Sequence, residues 1–125
     1  MLDYIKRPKV LEGYTIRMRT GCGNIYITLN RLDGQIIESF MHLGKSGNCS
    51  SSQLESLGRT ISTALRSGTD ISLLAKQLKG IRCQSPIWDE GEQILSCSDA
   101  IGRALEKGYA ALLSEKLESS RRKAE

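Results

Sequence analysis

The chain has no C-x-x-C pair, a single histidine (His42), few aromatic residues and no apolar run of the length a membrane span needs. Each gap removes something. Without about eighteen uncharged apolar residues in a row, and without a basic-then-apolar leader ending in small residues, neither a membrane span nor a secretory signal is expected, and the chain reads as soluble and cytoplasmic. One histidine leaves no Ser/His/Asp constellation to argue for. The missing C-x-x-C takes away the usual thiol–disulfide device and the usual zinc knuckle. Aromatic residues make up 5% of the chain with no interleaved Tyr/Phe platform in the sequence, so a nucleic-acid partner is not favoured.

What remains is a basic chain of 125 residues, 39% apolar, enough for one core. A single domain over residues 1–125 is expected, with its core at about 13–113. Eighteen Lys and Arg against fourteen Asp and Glu give a net charge of +4. Much of the excess sits in short basic tails, Lys6, Arg7 and Lys9 in front and Arg121, Arg122 and Lys123 behind. A phosphate-bearing partner fits that balance, but charge alone does not select one.

The hydrophobic period changes once along the chain. Tyr14–Arg19 and Asn24–Asn30 alternate, and Gln35–Leu43 is β-branched and apolar at its ends, which predicts three strands. Gly21-Cys22-Gly23 and Asp33-Gly34 supply the tight turns between them, giving an antiparallel meander. From Ser50 to Arg66 the apolar residues Leu54, Leu57, Ile61, Ala64 and Leu65 fall at helical spacing, with Gly68 just past the end. A second helix is predicted over about Asp70–Lys79, stopped by Gly80. Gln84–Gln93 reads as an ordered loop, and a last helix begins near Ser98-Asp99 and runs to Leu117 or beyond. The fold class is α+β: a three-stranded antiparallel sheet followed by about three helices. The last helix is longer than the sheet needs for cover, and its excess is expected to pack on another subunit.

Cys22, Cys49, Cys83 and Cys97 are the strongest lead to function. None lies inside an apolar run; each sits in a turn-like or helix-opening context rich in Gly, Ser or polar residues. A cysteine used as a small core hydrophobe keeps company with Val, Leu and Ile, so these contexts suggest thiols converging from separate loops. Four thiolates make a closed tetrahedral zinc site, and in a reducing compartment a metal is favoured over two disulfides. The separations, 26, 33 and 13 residues, match no standard zinc spacing. An iron–sulfur cluster and thiol redox chemistry are the rival uses of the same residues.

Other residues carry weaker signals. Gly44-Lys45-Ser46-Gly47 has a phosphate-loop look, but Ser39 stands where the Walker pattern needs glycine, and a Gly-rich strand-to-helix turn explains it as well. Lys45 and Ser46 at a helix start, with Arg66, are the candidate phosphate contacts. His42 is expected to pack or hydrogen-bond at a sheet end. Trp88 is expected to anchor its loop in the core, and Asp89, Glu90 and Glu92 to form a solvated acidic run.

Several segments together resemble the TSCPD domain: Thr20-Gly21-Cys22-Gly23, Gly44-Lys45-Ser46-Gly47-Asn48-Cys49, Leu57-Gly58-Arg59, Ala64-Leu65-Arg66-Ser67-Gly68, Leu78–Cys83 and Ser96–Leu105. The likeness runs from about Gly13 to Leu105, and all four cysteines fall on cysteine positions of that family's pattern. The eponymous Thr-Ser-Cys-Pro-Asp stands here as Leu95-Ser96-Cys97-Ser98-Asp99, keeping the thiol and the acid and losing the proline. That family is best known near the C-terminus of cobalamin-dependent ribonucleotide reductases and as small free-standing proteins. The resemblance implies a zinc-stapled accessory or regulatory module, lacking the reductase's catalytic barrel, that works beside a reductase-like protein partner. The alternatives are an oligomeric protein that binds or sequesters a nucleotide, as in a phage or defence setting, and a thiol redox or iron–sulfur protein.

Overall fold

The computed structural model describes residues 4–44 and 49–124. Three strands, β1 (Glu12–Thr20), β2 (Gly23–Leu32) and β3 (Gln35–Leu43), form an antiparallel sheet in the order β1-β2-β3. Helices α1 (Cys49–Arg66) and α2 (Ile71–Leu78) follow, then a small hairpin of β4 (Ile87–Asp89) and β5 (Glu92–Ile94), and last the long helix α3 (Cys97–Ala124). The expected α+β architecture is present, with a short hairpin in place of the ordered loop. That hairpin turns on Glu90 and Gly91, both at positive φ (49° and 83°), as the main meander turns on Asp33 and Gly34 (51° and 77°).

Strand alternation decides which face is covered. Ile16, Ile27 and Met41 stand in one cross-strand row and Met18, Ile25 and Leu43 in the next. These rows face the helices, and Ile25, Ile27 and Leu29 are fully buried against them. The helical side of the core comes from Leu54, Ile61 and Leu65 of α1, Ala75 of α2, and Ala100, Ile101, Ala104 and Leu105 of α3. Packing is close. A Cβ on Gly108 would collide with Leu29 Cδ1, so the absent side chain is what lets α3 lie down on β2.

α1 covers the outer edge of β3. The Ser62 hydroxyl accepts the Ser39 N–H at 2.9 Å and donates to the Ser39 carbonyl at 3.0 Å, satisfying backbone groups that an edge strand otherwise leaves open. Asp70 caps α2 by accepting from the Ser72 N–H at 2.8 Å.

The stretch before β1 is not the solvated basic tail expected of it. Ile5 exchanges hydrogen bonds with the end of α1, donating its N–H to the Arg66 carbonyl and accepting from Arg66 Nε. Arg7 Nε lies 3.0 Å from the carboxylate of Glu38, whose side chain is 2% exposed and also accepts from Asn30 Nδ2 at 2.7 Å. A carboxylate buried that deeply needs such partners, so the residues around Arg7 are strapped across the sheet.

α3 has 28 residues, about 42 Å of helix. Every residue from Leu113 to Ala124 is exposed, so the excess length read from the sequence is real. Among the described residues, no helix is long and apolar enough to cross a membrane.

Candidate metal centre

Cys22 rides on the tip of the β1–β2 hairpin. Thr20 shapes that tip: its hydroxyl donates to the Gly23 carbonyl at 2.8 Å and accepts the Cys22 N–H at 3.1 Å. Gly23 sits at φ 122°, a conformation L side chains rarely adopt, and so closes the turn. The hairpin tip is seated on the segment that carries Cys83. A Cβ on Gly21 would fall on the Ser85 carbonyl oxygen, inside the space of rigid backbone.

Cys83 lies in the loop after α2, tied by its N–H to the Leu95 carbonyl at 2.9 Å. The Ser85 N–H donates to the Cys83 sulfur at 3.3 Å. Cys97 is the first residue of α3, where free N–H groups and the helix dipole favour an anion. Its Sγ is 3.7 Å from Thr20 Oγ1. Burial pushes the Cys97 thiol up from its ordinary value; the Thr20 contact pulls it down, and the neighbouring Cys22 and Cys83 thiols push it up again. Three thiols from distant parts of the chain thus bear on one another.

The residues around Cys97 form a clamp that holds this arrangement. Ser96 caps α3, accepting the Asp99 N–H at 3.0 Å, and donates its proton to the Ile81 carbonyl at 2.6 Å. Asp99 is fully buried and accepts the Gly80 N–H and the Leu95 N–H, each at 2.9 Å, and Arg103 Nε at 3.0 Å. Burial alone would raise its pKa, yet the three donors together hold its carboxyl below the usual range. Ser96 and Asp99 therefore fix the Gly80–Cys83 loop against the start of α3. Sequence reading saw Asp99 only as a first-turn residue. Its wider role depends on backbone donors 4 and 19 residues away, which no local pattern reveals.

Cys49 is the first residue of α1, and its thiol lies outside the described part of the molecule. Gln53, one turn further along α1, lines a surface pocket together with Leu43, Leu54 and Cys97, which brings the N-terminal end of α1 beside Cys97. Among the described residues, no group of three or more His, Cys, Asp or Glu side chains is arranged to hold a metal ion.

The remaining candidates are scattered. Lys45 and Ser46 lie outside the described residues. Arg66 is the last residue of α1, roughly 25 Å along the axis from its first, with its guanidinium over the Tyr4 ring and on the Ile5 carbonyl. His42 is exposed and stacks on Tyr26, with ring centroids 5.5 Å apart. Trp88 is 69% exposed and anchors nothing, contrary to the reading from sequence; the hairpin alternation turns Ile87 and Ile94 inward and Trp88 out. Glu92, read as solvated, meets Arg103 at 3.5 Å and Lys107 at 3.6 Å on α3.

Comparison with curated proteins and with solved structures returns no match. A family model does match, over residues 2–109, taking in the strapped N-terminal stretch as well as the hairpin tip, the loop after α2 and the Ser96–Asp99 clamp. The chain belongs to the TSCPD domain family.

Proposed function

We propose that this protein is a zinc-stapled accessory module, in which Cys22, Cys83 and Cys97, with Cys49 as the fourth ligand, bind one metal ion. One geometric relationship supports this reading: Thr20, whose hydroxyl accepts the Cys22 N–H, stands 3.7 Å from Cys97 Sγ, and Gly21 abuts Ser85, two residues beyond Cys83. A divalent cation bound by such thiols deprotonates them and offsets the repulsion between the thiolates. Four thiolates would close the coordination sphere and leave no open position for substrate, so the ion's work would be structural. It would join segments that are otherwise linked by a glycine contact and a few hydrogen bonds.

The family's association with ribonucleotide reductases supports placing the module beside a reductase-like protein partner, with the catalysis carried by that partner. The exposed half of α3, with Leu113 and Leu117 on its surface, offers a surface for such a partner or for a second copy. Metal analysis of freshly purified protein tests the site. About one equivalent of zinc per chain is expected, lost on Cys97→Ser with a lower melting temperature. Less than about half an equivalent, with unchanged melting on substitution, overturns the zinc site. Visible absorbance would assign the four cysteines to an iron–sulfur cluster instead. Co-purification with a cobalamin-dependent reductase barrel tests the partner independently of the metal.

A further inference from the structure

The face of the sheet turned away from the helices carries a second arrangement that the metal reading does not use. The strand register sets Arg17, Tyr26 and His42 in one cross-strand row and Thr15, Thr28 and Phe40 in the next. Tyr26 and His42 stack on each other, their planes 17° apart, and Phe40 stands beside His42 on β3, 47% exposed. Rings that look isolated along the sequence are gathered here because residues two apart on a strand share a face with their cross-strand partners.

The exposed charges in these outward rows are of one sign. Arg17 and Arg19 are exposed on β1, and among the described residues neither enters an ion pair. The one acid in the outward rows, Glu38, is buried and neutralised by Arg7. The strap thereby closes one end of the face. At the other end Arg19, Asn24 and Tyr26 line an open pocket that reaches Gly44 and Cys22.

We propose that this face binds single-stranded nucleic acid, with bases stacking on Phe40 and the Tyr26–His42 pair and phosphates held by Arg17 and Arg19. Exposed rings on a sheet flanked by arginines suit unpaired bases, since every base has a π-face and every linkage a negative charge. The openness of the surface selects a strand over a free nucleotide, because small-molecule sites bury most of their ligand. A second copy is the wrong occupant, as a self-paired face would gather the unpaired Arg17 and Arg19 of both copies in one interface with no exposed acid in the outward rows to answer them.

Fluorescence anisotropy with short labelled oligo-dT and oligo-U, using the full chain, tests the assignment. Binding is expected to weaken as salt rises, with Arg17→Ala and Arg19→Ala together flattening the salt dependence by about 1.4 in log–log slope, roughly 0.7 for each phosphate no longer neutralised. Phe40→Ala should weaken binding by about tenfold, while Trp88→Ala, an exposed ring on the other hairpin, should leave it unchanged. Melting curves of each variant establish that it is folded. Absence of binding at low salt overturns the proposal, as does binding that ignores Phe40 and Arg17. Competition by mononucleotides as strong as that by the oligomer also overturns it, in favour of a small-molecule site.

Discussion

The Asp99 carboxylate accepts the backbone N–H of Gly80 at 2.9 Å, joining the first turn of the last helix to the residue that ends the second. That bond, with its companions to Leu95 and Arg103, places the loop bearing Cys83 against Cys97. Removing the carboxylate strands two backbone donors and one guanidinium. Asp99→Ala is expected to cost about 3–5 kcal/mol in chemical denaturation, the range for breaking a buried charged network. Asp99→Asn, which keeps one acceptor, should cost less.

The same carboxyl sets a pH dependence. Its folded pKa lies below the unfolded value, so its stabilisation is complete above the unfolded carboxyl range and disappears as pH falls through the lower folded pKa. Melting temperature followed from neutral pH downwards should therefore fall below about pH 4, where the unfolded carboxyl begins to bind a proton that the folded one refuses. In Asp99→Asn that part of the acid loss should be absent.

Gly21 and Ser85 make the contact between the hairpin tip and the loop after α2. With the Ser85 carbonyl oxygen where a Cβ would stand, Gly21→Ala has to push the two segments apart. A loss of about 1–3 kcal/mol is expected, as for overpacking elsewhere. If the cysteines bind zinc, metal content should fall in this variant although every ligand is intact, which elemental analysis would read directly.

Arg7→Ala tests the N-terminal strap. Among the described residues Glu38 would keep only Asn30 as a partner for a carboxylate 2% exposed, and a loss of about 1–3 kcal/mol is expected, moderated by the partial exposure of Arg7. Amide exchange should rise in residues 4–10 first. Uniform acceleration through the whole sheet would argue against a local strap.

The parts of this fold that were legible in the sequence are those written in local periodicity. The alternation in Tyr14–Arg19 and Asn24–Asn30, the Asp33-Gly34 turn and the helical spacing from Leu54 to Leu65 each lie within a few residues. The β4–β5 hairpin escaped because strands of three residues are too short to show alternation, and Pro86 and Gly91 gave the segment the look of a loop. The strap escaped because Arg7 and Glu38 are 31 residues apart, and nothing near Arg7 separates it from a solvated charge. Within the candidate metal centre, the cysteine contexts pointed to convergence; the fold brings the Cys22 hairpin tip to Cys97 through Thr20 and to the Cys83 loop through Gly21, while the Cys49 thiol lies outside the described residues. Thr20, Ser96 and Asp99, which stand beside those cysteines, were legible only as members of the family-like segments and, for Asp99, as a first-turn residue; most of their partners are backbone atoms brought near only by folding.

The paired bonds between Ser62 and Ser39 have a consequence for assembly. With one hydroxyl occupying both free backbone groups of Ser39, β3 offers no template at that point for an incoming strand. Among the described residues β1 pairs only with β2. Lengthening of this sheet by another chain, useful or pathological, is thereby steered towards the Glu12–Thr20 border.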